Sequence, residues 1–413
     1  MNEEPPADDT PSITYAAQVR SSILSGDVKI AIGMNSFTVN GLFDIVEMPY
    51  ARIDSIAFDN YIVNVRTDDG DLWFSKMGQW AQPFFDALCA SYGKAVLRSF
   101  FISGGPAMEA KGDYRFTENG VTVSGKAKFS VYEDCIVALP PNGDARRIPL
   151  CFVSGMEKGE FELTLNVNGP DGVDRYTISK LGYDTDLFAA AVEKQIRALQ
   201  ERTLTMMKEF DPSLSPTQAS QISKLIPNGV ASPIGQISSV APSFRNAVET
   251  KISKTHAAES YAVFKELCGP DNIWMGFKKK NPGDQKEQPT EDTPEEEKES
   301  DILCWMIAPS PDGRYATVEF AEPNTATFVY RTDGDVRGCA SKINRSLEAI
   351  SFKREAIRLT DEELLLPENA DYHMAAERWP PLRFIRSKFH ARIIHSSPET
   401  WKRKLTEIWD SPR

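Results

Sequence analysis

SKMGQWAQPFFDALCA (75–90) recurs as SKLGYDTDLFAAAVEK (179–194). Six residues after the glycine of each tetrad stand Phe84 and Phe188. Ala87 and Ala191 follow, then Leu88 and Val192. Upstream, FTVNG (37–41) matches VTVSG (121–125), and MPY (48–50) matches IPL (148–150). Each copy places an Asp-Gly turn before its last strand-like run, at Asp69-Gly70 and Asp171-Gly172. Ordered matches at comparable separations identify a duplicated unit of roughly 90 residues.

The unit reads physically as strands followed by a helix. In the first copy VKIAIG, SFTVN, ARIDSIAF, YIVNVRT and DLWFS are short β-branched or aromatic runs separated by Gly, Asn and Asp. Several alternate apolar and polar residues, the pattern of antiparallel strands with one buried face. From Trp80 to Val96 the period changes, and Trp80, Phe84, Phe85, Leu88, Cys89 and Tyr92 fall at helical spacing. The second copy repeats the plan with YRFT, GVTVSG, IPLCFV, FELTLNV and RYTIS, then a helix over about 184–203.

Five to seven antiparallel strands closed by one C-terminal amphipathic helix resemble the plan of the pleckstrin-homology-like fold. The resemblance is one of architecture, covers residues 26–205, and implies tandem binding modules in which the helix covers the core. The fold class expected is therefore α+β, with two such β-barrel or sandwich modules before an α+β module that ends in helices. The expected division is a disordered tail at 1–25, modules at 26–105 and 106–208, a connector at 209–243, and the α+β module at 244–413.

The connector carries 15 Pro, Gly or Ser among residues 211–243. Ser215-Pro216-Thr217-Gln218 still forms a capping box, which predicts a short helix to Leu225. A helix is expected at about 243–267, ending at Gly269-Pro270. Residues 284–301 hold nine Asp or Glu against two Lys, so 281–301 reads as a disordered insertion between strand-like runs. RTDGD (331–335) echoes RTDDGD (66–71) and raises a degenerate third copy, although Asp-Gly turns are common for local reasons. Further helix starts are signalled by Val336, by the Thr360/Glu363 capping box, by Pro380-Pro381 and by Ser397-Pro398.

Composition narrows the function classes. The net charge of −12 argues against a dedicated nucleic-acid binder, which needs a basic surface. No run approaches the ~20 apolar residues of a membrane span. The acidic, proline-rich start lacks the features of a signal peptide, so a cytoplasmic protein is expected. The six cysteines form no CxxC, and His390 and His395 are spaced for different sides of a helix, so no metal and no cofactor is expected. Asp68-Asp69-Gly70-Asp71 lacks calcium-loop spacing, and Ser103-Gly104-Gly105-Pro106 lacks the continuation of a phosphate loop. No GxSxG or comparable nucleophile pattern occurs.

One segment carries directed charge. RWPPLRFIRSKFHARIIHSS (378–397) holds Arg378, Arg383, Arg386, Lys388 and Arg392 with no acidic residue, and Trp379 accompanies them. Read as a basic amphipathic helix over 380–395, it offers a binding face for an anionic surface, a partner helix or a nucleic-acid backbone. Read as an ordinary surface helix, it buries Leu382, Ile385, Phe389 and Ile393. The function expected is a non-enzymatic protein-interaction scaffold with a protein partner. Self-association through exposed sheet edges is an option. The alternatives are peripheral membrane or nucleic-acid-backbone association through 380–395, or an enzyme whose site is assembled from distant residues. Lipid binding is weakened by the lack of Lys or Arg from Met34 to Ala51, where phosphoinositide-binding members carry them.

Overall fold

The computed structural model describes residues 14–280, 302–322, 326–395 and 397–411. The chain is α+β, with two seven-stranded antiparallel sheets and a helical C-terminal region. The first sheet contains β1 (Thr14–Arg20), β2 (Ser25–Ile32), β3 (Ser36–Asn40), β4 (Ile45–Pro49), β5 (Ile53–Asp59), β6 (Ile62–Thr67) and β7 (Gly70–Ser75), followed by α1 (Ala81–Ser99). Its strand order is β4-β3-β2-β1-β7-β6-β5. The second contains β8 (Met108–Glu118), β9 (Val121–Val131), β10 (Cys135–Leu139), β11 (Arg146–Pro149), β12 (Val153–Lys158), β13 (Glu162–Gly169) and β14 (Gly172–Ser179), followed by α2 (Thr185–Phe210). Its order, β11-β10-β9-β8-β14-β13-β12, is the first with every index raised by seven. The duplication is thus one of topology.

The repeated tetrad has a backbone reason. Lys76 and Gly78 have φ of 59° and 54°, and Lys180 and Gly182 have 57° and 62°. Two left-handed residues turn the last strand into a short 3-10 helix and then the long helix, and only glycine adopts that region freely. Between them Met77 and Leu181 are buried. MPY and IPL also correspond, because Pro49 and Pro149 each end a fourth strand before a 3-10 turn. FTVNG and VTVSG do not. The first lies in β3 and the second in β9, the counterpart of β2.

The expected tail at 1–25 is corrected from Thr14 onward. β1 is a central strand that pairs with β2 from Thr14↔Ala31 to Arg20↔Ser25 and also with β7. Its alternation buries Tyr15, Ala17 and Val19. Two alanines, poor strand formers, weaken that signal in the sequence. Residues 1–13 lie outside the described residues.

The remaining elements are α3 (Pro216–Leu225), β15 (Ser232–Pro233), α4 (Ile234–Val240), α5 (Pro242–Ile252), α6 (Ala258–Cys268), β16 (Trp274–Lys279), β17 (Ile302–Pro309), β18 (Tyr315–Phe320), β19 (Ala326–Arg331), α7 (Val336–Ala349), α8 (Glu355–Arg358), α9 (Asp361–Leu364), α10 (Ala370–Arg378), α11 (Pro380–Lys388), β20 (Phe389–Ile394) and α12 (Pro398–Trp409). A six-stranded sheet runs β15-β16-β17-β18-β19-β20. β16 and β17 pair directly, from Trp274↔Ile307 to Lys279↔Ile302, so residues 281–301 connect two hairpin strands. That segment, expected to be disordered, lies outside the described residues.

Residues 209–243 are not a connector. Ile222, Ile226, Ile234, Ile237 and Phe244 are buried in the core of the third sheet, with Met206, Met207 and Phe210 from the end of α2. The prolines open helices: Pro216 and Pro242 sit in first turns, where a missing N–H costs nothing. The capping box at Ser215 and Gln218 is formed. The helix expected over 243–267 is two, α5 and α6, interrupted at Ser253–Ala257. The basic helix expected over 380–395 ends at Lys388, and its β-branched tail continues as β20, paired with β19. RTDGD ends β19, and Asp335 caps α7 by accepting from Gly338 N–H, so the segment is no hairpin turn like RTDDGD.

By its contacts the chain divides into two compact units. Unit 1 holds the chain through Phe101, Leu139–Arg146 and Leu359–Trp379; unit 2 holds Ile102–Ala138, Arg147–Arg358 and Pro380–Arg413. The first and last expected modules are redrawn accordingly, since 359–379 belong with the first sheet. There Arg98 pairs with Asp371 at 2.9 Å, and Trp379 stacks on Phe100 at 4.2 Å.

Candidate interaction site

In unit 2 the second sheet leaves a cleft of about 530 Å³ where β12 begins. Phe152 and Val153 form one wall, Ile196 and Leu204 of α2 another, and Leu225 and Val230 close it. The lip is held rigidly. Asn228 adopts φ 41°, its N–H donates to Thr203 Oγ1 at 3.3 Å, and Trp305 Nε1 donates to Gly229 O at 2.8 Å. Asn344 of α7 bonds both N–H and C=O of Ala231, at 2.7 and 2.9 Å. Burial pushes the Cys151 thiol in this cleft far up, so it stays protonated and is a poor nucleophile. A cleft with these apolar walls and with exposed Arg197, Gln200, Glu201 and Lys224 also lining it can bind by shape and desolvation.

In unit 1 the turn between β3 and β4 is apolar. Gly41 N–H donates to Asp44 O at 2.8 Å, which puts Leu42 and Phe43 at the two central positions. Leu42, Phe43 and Ile45 are 84%, 90% and 75% exposed, and Ile23 in the β1–β2 turn is exposed as well. Turn centres normally carry polar or flexible residues, so apolar side chains there cost solubility with no local return. That anomaly is legible in the sequence itself, as two large apolar residues between Gly41 and Asp44.

Buried charge in unit 2 has a structural disposition. Arg147 pairs with Asp134 at 3.1 Å and with Glu348, and Lys278 lies 3.9 Å from Asp134. These side chains tie the β9–β10 turn and β11 to α7 and β16. Burial pushes the Glu348 carboxyl up. For Asp134 the opposing pull of Arg147 and Lys278 outweighs burial and holds it low. A second pair joins His395 Nε2 to Glu319 Oε1 at 2.7 Å. Thr327 Oγ1 donates to Glu319 Oε2 at 2.5 Å, and Trp401 Nε1 donates to Thr327 Oγ1 at 2.8 Å. The Glu319 hydrogen bond raises His395 above its ordinary value despite burial. Among the described residues no group of three His, Cys, Asp or Glu is placed to hold a metal ion.

The six residues singled out in 378–392 are divided between the two units. Arg378 and Trp379 belong to unit 1. Arg378 is mostly buried, its Nε donating to Ala51 O and its Nη1 to Asp54, both at 2.6 Å. Trp379 is buried and donates to Ser99 Oγ at 3.0 Å. The other four belong to unit 2. Arg386 donates to Ala356 O at 2.9 Å, and Lys388 pairs with Asp333. Arg383 and Arg392 are exposed, on α11 and β20 respectively.

No helix among the described residues is long and apolar enough to cross a membrane. No protein-family model matches the chain, and no curated protein matches it.

Proposed function

We propose that this chain is a non-enzymatic protein-interaction scaffold, built from two pleckstrin-homology-like domains and a third α+β body. The observation that carries the reading is the exposed apolar turn of unit 1, Leu42-Phe43 with Ile45 and Ile23. Apolar side chains at a turn tip gain stability only when another surface covers them, and interface cores are enriched in such residues. The duplicated seven-stranded plan supports the domain assignment, since each sheet is closed by a helix that buries Phe84 or Phe188. A protein partner is favoured over an anionic membrane or a nucleic-acid backbone, because the turn itself carries Asp44 and no cation. With all six cysteines as thiols, a reducing compartment such as the cytoplasm is the proposed location.

The test is affinity capture from native cells with the wild type and the Leu42→Asp/Phe43→Asp variant, after circular dichroism has shown equal folding. A protein recovered at high salt by the wild type and lost with the variant supports the reading. Recovery indifferent to the variant, or recovery of lipid or nucleic acid alone and only at low salt, overturns it.

A further inference from the structure

The same place is filled in the first repeat and open in the second. In unit 1 the edge strand β5 receives the segment Leu139–Arg146. Ile56 N–H donates to Pro141 O at 3.0 Å, Gly143 N–H donates to Asp54 O at 2.8 Å, and Ser55 bridges Asn142. A turn-sized segment is thereby added to a sheet edge through its backbone.

β12 is the strand in that place in the second repeat. Both strands follow a proline and a three-residue 3-10 turn. Their pairings recur one hundred residues apart: Ile53↔Thr67 with Val153↔Val167, then Ile56↔Val65 with Met156↔Leu165. Both carry a register shift after their first residue. Ser154 O and Met156 N are therefore the counterparts of Asp54 O and Ile56 N. Among the described residues neither has a backbone partner beyond its own sheet. The cleft walled by Phe152 and Val153 begins on this same strand.

The segment that fills the first place joins the third and fourth strands of the second repeat. Its counterpart in the first repeat joins β3 and β4 and is the Leu42-Phe43 turn. The chain thus makes this contact once within itself and keeps one unused half of each kind, a bare edge on the second repeat and a bare turn on the first. We infer that these halves meet between copies. The Gly41–Asp44 turn of one chain docks on the β12 edge of another, with Phe43 in the cleft and Asp44 toward Lys224 on its rim. This rests on the interaction reading above and names its partner as a second copy of this chain. A single turn buries less than the ~1,200 Å² typical of stable interfaces, so the association is weak and concentration-dependent. It is also heterologous, so it grows head to tail.

The experiment is sedimentation velocity on the full-length protein from low to high micromolar concentration. The weight-average mass should rise with concentration. Phe43→Asp and Met156→Pro should each hold the protein at monomer mass. Proline is tolerated where an edge N–H faces outward; it removes that donor together with the Met156 side chain that packs on the core, so Met156→Ala, which keeps the donor, is run beside it and should still associate. Mixing the two variants, one with an intact edge and one with an intact turn, should restore dimers and nothing larger. Asp44→Lys combined with Lys224→Glu, a pair of exposed substitutions, should restore the association that either alone weakens. A protein that stays monomeric throughout, or oligomers unchanged by Phe43→Asp, overturns the inference. If the protein is monomeric while Leu42→Asp/Phe43→Asp still abolishes capture of a different protein, self-docking fails and the interaction reading stands. If neither assay responds to these substitutions, both fail.

Discussion

Replacing Arg147 with methionine should be among the most costly single substitutions in unit 2. The Arg147 side chain is 2% exposed and lies between Asp134 and Glu348, themselves 13% and 6% exposed. Methionine fills much of the same volume but carries no charge, so the change isolates electrostatics from packing. It leaves two buried carboxylates near each other, with Lys278 on the Asp134 side and Arg345 acting on Glu348 at longer range. Removing one member of a buried, hydrogen-bonded ion cluster costs about 3–5 kcal/mol. That is roughly a hundred- to several-thousand-fold shift toward the unfolded state. The loss has a pH signature. Glu348 is already held above its ordinary value by burial, and without Arg147 it should rise further. A carboxyl with a raised folded-state value loses stability as pH rises through that value and regains it below the unfolded one. The deficit of Arg147→Met should therefore be full at about pH 7.5 and much smaller at about pH 5. Urea unfolding followed by tryptophan fluorescence reads it, since Trp274, Trp305, Trp401 and Trp409 lie in unit 2. A deficit under ~1 kcal/mol, the scale of an exposed pair, would refute the buried-cluster reasoning, as would a deficit independent of pH.

Two further outcomes follow from local geometry. A Cβ on Gly276 would lie 2.4 Å from Trp305 Nε1 and 2.5 Å from Gly229 O, against the bond that joins them. Gly276→Ala should cost about 2–5 kcal/mol and weaken the near-ultraviolet circular dichroism of Trp305; a lower urea midpoint with that signal intact would contradict this. The His395–Glu319 pair holds the imidazole above its ordinary value, so its contribution is present below about pH 6.5 and fades as pH rises through the folded-state value. The unfolding midpoint of the wild type, minus that of His395→Asn, should shrink over that range. A difference that grows with pH would reverse the assignment.

The parts of the fold that could be read from the sequence were those governed by local periodicity and capping. α1, α2, the capping boxes at Ser215 and Thr360, and the N-terminal proline of α12 all follow from residues within one or two turns. β1 and β10 escaped for opposite reasons. TYAAQVR alternates but with small alanines, whereas CIVAL is buried at four of five positions and does not alternate at all. Residues 209–243 misled because Pro, Gly and Ser mark helix starts as readily as linkers. In the basic stretch at 378–392 the partners of Arg378, Lys388 and Arg386, namely Asp54, Asp333 and the Ala356 carbonyl, are distant in sequence and could not be read locally. The open β12 edge was hidden for the same reason. A bare strand edge is a statement about what other segments fail to cover.

The length of α2 ties folding units together that the duplication alone would leave separable. At 26 residues it runs about 39 Å. Phe188 and Val192 near its start belong to the core of the second sheet, while Met206, Met207 and Phe210 at its end belong to the core of the third. A chain cut after residue 208 would keep the repeat's whole strand set yet leave both methionines without their neighbours. One rigid rod set in two cores makes their melting a shared event. The second repeat therefore shares its stability with the core of the third sheet, and a cavity cut in either is felt by both.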